Sequence, residues 1–334
     1  MVNEKKTTST RAQILDILRN SREPVSGELI AENLGISRVA VWKVIKGLNE
    51  SGYRILASAL GYALDQDDQD SLNPWEFGPN ESLIRYWSET DSTMNRAREA
   101  ALTACPAGTV VVADAQTQGR GTGDKTWSSV PGGLFYTLIT RPNLNPAFAH
   151  RQVLAAQCAL VRAIQSVSGR CVYPGWPNDI LSDTEKGARK AGGILSELLV
   201  SGNRMEFLNL GIGINTGSAP DLSETAEIMT GRKALLSAFL REFGNADHER
   251  ETLAAEWNSL CPDIGKTVYF RFNEEQTGVT AQFPTRDGVG IFRGVDTAGF
   301  ALLESLENDN RTPSNSITRY PPGSISLRNK GRKA

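Results

Sequence analysis

The stretch that most constrains this chain runs from Gln116 to Trp127, where Gln-Thr-Gln-Gly-Arg-Gly-Thr-Gly-Asp-Lys-Thr-Trp follows a β-type run at Thr109–Ala113. Glycines at 119, 121 and 123 permit positive φ and bring backbone N–H groups close to a ligand, and Arg120 adds a fork of charged donors. A loop of this kind behind a strand suits a phosphate or a carboxylate. On its own it is equally an ordinary turn, so its meaning depends on the rest of the chain.

The N-terminal residues read as three helices and a wing. Ile14, Leu15, Ile17 and Leu18 give a first helix a buried stripe. Ser26 is placed to cap a second helix carrying Leu29, Ile30 and Leu34, and Gly35 suits its left-handed stop. Ser37 is placed to cap a third, with Ile36 and Val41 spaced as a hydrophobic staple. Along that third helix Ala40, Val41, Val44, Ile45 and Leu48 form one face, leaving Arg38, Val39, Trp42, Lys43 and Lys46 on the other. Gly52–Leu56 and Leu60–Leu64 then read as the two strands of a wing. Up to residue 64, four lysines and five arginines stand against six acids, while the whole chain of 334 residues carries a net charge of −2. A helix-turn-helix with a basic outward face predicts duplex DNA as partner: Arg54 or Lys46 at phosphates and Arg38, Trp42 and Lys43 at base edges. The bland alternative is a helical protein-interaction module with solvated charges.

Residues 67–79 are rich in acids and Pro and read as a linker. The length fits two or three domains, and no apolar run approaches the ~20 residues of a membrane span. The polar start Met1–Thr10 lacks a signal peptide's apolar region, which predicts a cytoplasmic protein without membrane contact. Cys105, Cys158, Cys171 and Cys261 have no metal-ligand spacing and read as idle thiols, and no protein metal site is expected. Two histidines leave little material for a histidine-based zinc site or a Ser-His triad.

Around the glycine-rich loop stand Asp91-Ser92-Thr93-Met94-Asn95, Gly175-Trp176-Pro177-Asn178-Asp179, Lys190-Ala191-Gly192-Gly193-Ile194-Leu195-Ser196-Glu197 and Gly211-Ile212-Gly213-Ile214-Asn215. In this order and spacing the five motifs resemble those of the biotin protein ligases. With the helix-turn-helix before them and a strand-rich segment after, the chain is similar to the bifunctional biotin ligase and biotin operon repressor family. The resemblance implies an α+β protein: a winged helix-turn-helix at 1–66, the linker at 67–79, a class II aminoacyl-tRNA synthetase-like ligase domain at 80–260, and an SH3-like barrel at 261–334. Alternating runs at Thr267–Phe272, Gly278–Ala281 and Gly290–Val295 suit such a barrel.

The resemblance also implies chemistry. Biotin's carboxylate attacks the α-phosphate of ATP, with Mg²⁺ accompanying the nucleotide, and a lysine of a biotin carboxyl-carrier domain then attacks the adenylate. The Ser92-Thr93 pair, which as local sequence can equally be an N-cap, matches residues at the ureido ring, and Gln116 matches a glutamine of that pocket. Gly119, Arg120 and Gly121 match the loop that orders over biotin, with Arg120 and Lys190 as the catalytic cations. Lys125, Trp127, Asn178, Asn215 and Arg328 match the nucleotide's surroundings. A homodimer is expected, because winged helices of this kind read palindromic operators in pairs.

Two departures bear on activity. The family writes Lys-Trp-Pro-Asn-Asp, its lysine reaching biotin and the α-phosphate, where this chain has Gly175. Its loop usually reads Gly-Arg-Gly-Arg-x-Gly-Arg, and here Thr122 and Lys125 replace the later arginines, with Asp124 adding a negative charge. Three readings follow: a ligase and repressor, a ligand-sensing regulator with an impaired ligase domain, and a lipoate-type acyl transferase, against which the helix-turn-helix counts.

Overall fold

The computed structural model describes residues 8–185, 187–216, 226–246, 252–272, 287–306 and 316–329, the side chains of Arg328 and Asn329 excepted. It divides into two compact units, residues 1–87 with 231–233 and residues 88–230 with 234–334.

In the first unit, helices α1 (Thr10–Arg19), α2 (Gly27–Leu34) and α3 (Arg38–Glu50) precede the antiparallel hairpin β1 (Arg54–Ser58) and β2 (Gly61–Gln66). Each helix starts on a serine whose side chain accepts the amide three residues on: Ser9 from Ala12, Ser26 from Leu29 and Ser37 from Ala40, at 3.3, 3.1 and 3.2 Å. Gly35 stops α2 at φ 64°, in the left-handed region open to glycine. Ile14, Leu15, Ile30, Val41 and Leu48 are wholly buried at the centre, with Ile36 packed against them. One apolar residue of α2 is not among them. Leu29 is 48% exposed, because the two-turn α2 buries the face of Ile30 and Ala31, and Leu29 lies about 100° around the helix from Ile30.

Within the stretch expected as a linker, Ser71, Leu72 and Asn73 are buried. The Glu76 carboxylate accepts from the Tyr53 hydroxyl (2.5 Å), Arg19 (2.8 Å) and Lys233 Nζ (2.9 Å). Burial pushes the Glu76 pKa up, but these donors outweigh it and hold it below its ordinary value. Polar composition here marks a fixed hydrogen-bonded segment.

The second unit is built on a seven-stranded sheet of order β3-β4-β5-β9-β8-β7-β6. Its strands are β3 (Ile84–Thr90), β4 (Val110–Gln116), β5 (Leu134–Thr140), β6 (Val172–Gly175), β7 (Asp179–Thr184), β8 (Gly187–Ser201) and β9 (Arg204–Ile214). Leu-Phe-Tyr-Thr-Leu-Ile-Thr of β5 is buried at every position, as suits a strand flanked on both sides and covered on both faces. Helix α4 (Thr93–Leu102) packs on β4, β5 and β9, and α5 (His150–Ser168), buried along most of its length, packs on β6, β7 and β8. Helices α6 (Arg232–Gly244) and α7 (Leu253–Leu260) follow, α7 against α5.

Strands β10 (Thr267–Phe272), β11 (Gly288–Val295), β12 (Ala301–Ser305), β13 (Ile317–Tyr320) and β14 (Ile325–Asn329) form an antiparallel sheet of order β13-β12-β11-β10-β14. Among the described residues this sheet is open, not a closed barrel, and the run expected at Gly278–Ala281 lies outside them.

Candidate functional site

Strands β8 and β9 pair in register from Gly192–Ile214 to Leu195–Gly211, so Gly193, Gly211 and Gly213 come together on the sheet. They form the floor of a pocket. The glycines are needed because bulky neighbours lie directly on the backbone. A Cβ at Gly213 would sit 2.5 Å from Trp127 Cε2, and one at Gly211 2.5 Å from Met94 Sδ. Into this pocket the fold brings Ser92, Thr93, Gln116, Arg120, Gly121, Trp127, Asn178 and Lys190 from motifs up to a hundred residues apart.

At one end, Gln116 Oε1 accepts from the Thr93 amide (2.7 Å) and hydroxyl (3.0 Å), and its Nε2 donates to Ser129 Oγ (2.8 Å). The Thr137 hydroxyl donates to Thr93 Oγ1 at 2.9 Å. Ser92 stands at the N-cap of α4 but makes no capping bond, and its hydroxyl is buried without a partner. A buried hydroxyl left unpaired costs on the order of 1–3 kcal/mol, so this one is suited to a polar ligand. Beside it, the Asn95 hydrogen bond holds the Asp91 carboxyl down at about 2, helped by the Ser92 amide, Thr90 and Arg96.

At the other end, Lys190 Nζ stands 2.6 Å from Asp179 Oδ1 and 5.2 Å from the centre of the Trp127 ring. Arg120 lies 3.5 Å from Glu197, which also pairs with Arg98 at 3.2 Å. Both pocket cations are thus paired with carboxylates of the chain, Arg120 sharing Glu197 with Arg98, and an anionic ligand would compete with Asp179 and Glu197 for them. The glycine-rich segment is a small hairpin: Trp127 N–H donates to Gly119 O (2.9 Å) and Gly121 N–H to Lys125 O (2.7 Å), with Gly123 at φ 64°. Gly119 lies against this hairpin, where a Cβ would come within 2.4 Å of the Trp127 carbonyl oxygen. Lys125 is exposed and does not line the pocket. Asn178 lines it, donating to Ile194 O at 2.6 Å. Asn215 is buried behind it, its amide group donating to Lys190 O at 3.3 Å. The backbone of Arg328 pairs with Tyr269 in the C-terminal sheet, and its side chain lies outside the described residues.

In the other unit, Arg38, Val39, Trp42, Lys43 and Lys46 all face solvent along α3. Lys46 Nζ is 3.8 Å from Glu50 and 5.9 Å from the centre of the Trp42 ring.

Residues 10–63 match the model of an HTH domain, and residues 86–215 that of the Biotin/lipoate A/B protein ligase family. The chain is 33% identical over 314 residues to the bifunctional ligase/repressor BirA of Bacillus subtilis (strain 168), covering 90% of this chain and 95% of that one. This chain belongs to the bifunctional ligase/repressor family. The family's Escherichia coli (strain K12) member is 26% identical over 322 residues, covering 90% of this chain and 94% of its own. The fold is shared with the biotin protein ligase from Aquifex aeolicus in complex with biotin and ATP, at a TM-score of 0.55 and 23% identity, covering 74% of this chain and 99% of that one.

Against that family background, Gly175 stands apart from the pocket-lining residues and borders a second, smaller cavity with Trp176, Asp263 and Phe292. It pairs with Asp179 across β6 and β7, and a Cβ there would lie 3.3 Å from Asp179 Cβ but 2.5 Å from Leu181 Cδ1. A side chain at 175 would therefore share a sheet face with the Lys190 partner Asp179, and Leu181 would have to move. Sequence reasoning passed over Asp179 and Glu197, although both end motifs it had singled out. It gave no sign of Thr137, because a threonine in the all-buried β5 looks like any other core position.

Proposed function

We propose that the chain is an ATP-dependent biotin protein ligase that also represses transcription by binding operator DNA. The observation that carries the ligase half is the single pocket that joins Ser92, Thr93 and Gln116 at one end to Arg120, Trp127 and Lys190 at the other. The uncharged end, with its unpartnered Ser92 hydroxyl, fits the ureido ring, and the cationic end fits a carboxylate meeting a phosphate. Gly119 and Gly121 keep the hairpin close over the ligand. Lys125, Asn178, Asn215 and Arg328 complete the nucleotide's surroundings in this reading, Asn215 by fixing the strand that carries Lys190.

In the first step a biotin carboxylate oxygen bonds to the α-phosphorus, the bond to the β-phosphate oxygen breaks, and pyrophosphate leaves. In the second, the amine of a carrier-domain lysine bonds to the acyl carbon, AMP leaves, and the nitrogen gives up a proton. Arg120 and Lys190 stabilise the charge that builds on phosphate and carboxylate oxygens, each such donor contributing about 10²–10³ in rate. Mg²⁺ supplies further charge neutralisation when it enters with ATP. The N-terminal module reads DNA through Arg38, Trp42 and Lys43, with Lys46 at phosphates, as a homodimer in the cytoplasm, and the C-terminal sheet is an SH3-like module.

A second reading, a sensor that binds biotin or its adenylate without turnover, draws on Gly175 and on the pairing of both pocket cations with carboxylates. Incubating the purified chain with biotin, α-labelled ATP and Mg²⁺ separates the two. The ligase yields labelled biotinyl-adenylate and pyrophosphate, then a biotinylated carrier domain; binding of biotin with no adenylate would leave the sensor.

A further inference from the structure

The outward face of α3 is not simply basic. Val39 is 63% exposed and Trp42 53%, one helical turn apart, and Leu60 at the wing turn is 74% exposed across the same groove. Single exposed apolar residues need no explanation, but three around one groove do. Cations bracket them: Arg38 precedes Val39, Lys43 follows Trp42, and Lys46 sets its ammonium beside the Trp42 ring. Glu28 and Arg38 both line the groove, so it carries no net positive charge to hold a phosphate, and phosphates are left to Lys46.

We propose that Val39 and Trp42 select operators by apolar contact with thymine methyl groups in the major groove, and so determine sequence specificity. The inference rests on the DNA-binding reading above and extends it to the bases read. In the major groove the thymine C5-methyl is the one apolar group among the base edges. Val39 offers neither donor nor acceptor and Trp42 offers one donor only, so this part of the helix cannot read a purine's paired donor and acceptor pattern. What it can do is remove a methyl from water. Arg38, next to Val39, is free to take a guanine beside the thymines.

The test uses the full-length chain. Duplexes are selected from a random pool, and the selected sequence is then remade with deoxyuridine in place of thymine, which removes only the methyl. The expected result is thymine enrichment at one or two positions per half-site and about fourfold weaker binding for each contacted methyl removed, the change expected for one buried methylene-sized group. Trp42→Ala should abolish most of the thymine-to-uracil difference. Lys46→Ala, at the residue assigned to phosphates, should weaken both duplexes alike, keep their ratio and flatten the salt dependence. Equal binding of the two duplexes by the wild type overturns the proposal while leaving DNA binding intact, as does full discrimination retained by Trp42→Ala. If Trp42→Ala instead alters only self-association, the face belongs to a second copy of the chain and the proposal is wrong. A chain that enriches no sequence at all would remove the DNA-binding reading itself.

Discussion

Among the described residues four helices begin on serine, and the two units use that serine differently. In the N-terminal unit Ser9, Ser26 and Ser37 each accept the amide three residues on and close the first turn. In the second unit Ser92 holds the same N-cap position on α4 with φ −158°, makes no capping bond, and keeps its hydroxyl buried and unpartnered at the wall of the pocket. The Thr93 amide that follows is taken by Gln116, 23 residues away in sequence. One residue type thus serves local structure in a small helical module and is withheld from it where a ligand site is built.

The largest expected effect lies at the cationic end of that site. Lys190→Ala should lower the rate of adenylation about 10²–10³-fold while DNA binding by the N-terminal unit is retained, measured as pyrophosphate release and as duplex affinity. Loss of DNA binding in a folded variant without added ligand would break the separation between the units.

Next is position 175. Gly175→Lys adds a cation on the face of Asp179, and a gain on the order of 10²-fold in adenylation is expected once Leu181 yields space. The comparison of Gly175→Lys with the double variant Gly175→Lys/Leu181→Ala separates crowding from charge. No gain in either, with biotin affinity reduced, would favour the sensor.

Acid should affect the two units in different pH windows. The His150 ring is pushed down to about 4 by burial, against a hydrogen bond with the Pro177 carbonyl that favours its charged form. Its unfolded value is higher, near 6.5, so the unfolded chain binds the extra proton. The neutral ring's stabilising contribution is therefore complete above pH ~6.5 and falls as the pH drops towards 4, by at most about 3 kcal/mol. Glu76, also depressed, contributes to the N-terminal unit above its unfolded value of about 4.5, and that contribution declines only below it. Denaturant unfolding followed by probes in each unit should show the ligase unit weakening first on acidification; His150→Gln should remove most of that early loss.

The smallest effect tests the serines themselves. Ser37→Ala should cost about 1 kcal/mol of stability and leave biotin binding unchanged. Ser92→Ala should cost little or no stability, because it removes an unpaired buried hydroxyl, and should weaken biotin binding about five- to tenfold. Calorimetry on both variants reads both quantities, and a stability loss at Ser92 equal to that at Ser37 would end the distinction.

The sequence by itself determined what depends on neighbours in the chain. Caps, the Gly35 stop, the two faces of α3 and the wing all follow from residues within one or two turns, where side-chain and backbone groups meet whatever the rest of the protein does. Motif order also carried the family and the main pocket residues, since a motif reports inheritance without needing geometry. Tertiary structure decided the rest. Leu29 faces solvent because burial depends on which helix face finds a partner, and residues 71–77 pack because Tyr53 and Arg19 await Glu76. Pairing of β8 with β9 determines that Gly193, Gly211 and Gly213 share one floor, and it is across the folded pocket that Arg120 meets Glu197. These contacts join residues far apart in the chain, and no local pattern encodes them, because their energies exist only once the sheet has closed the distance.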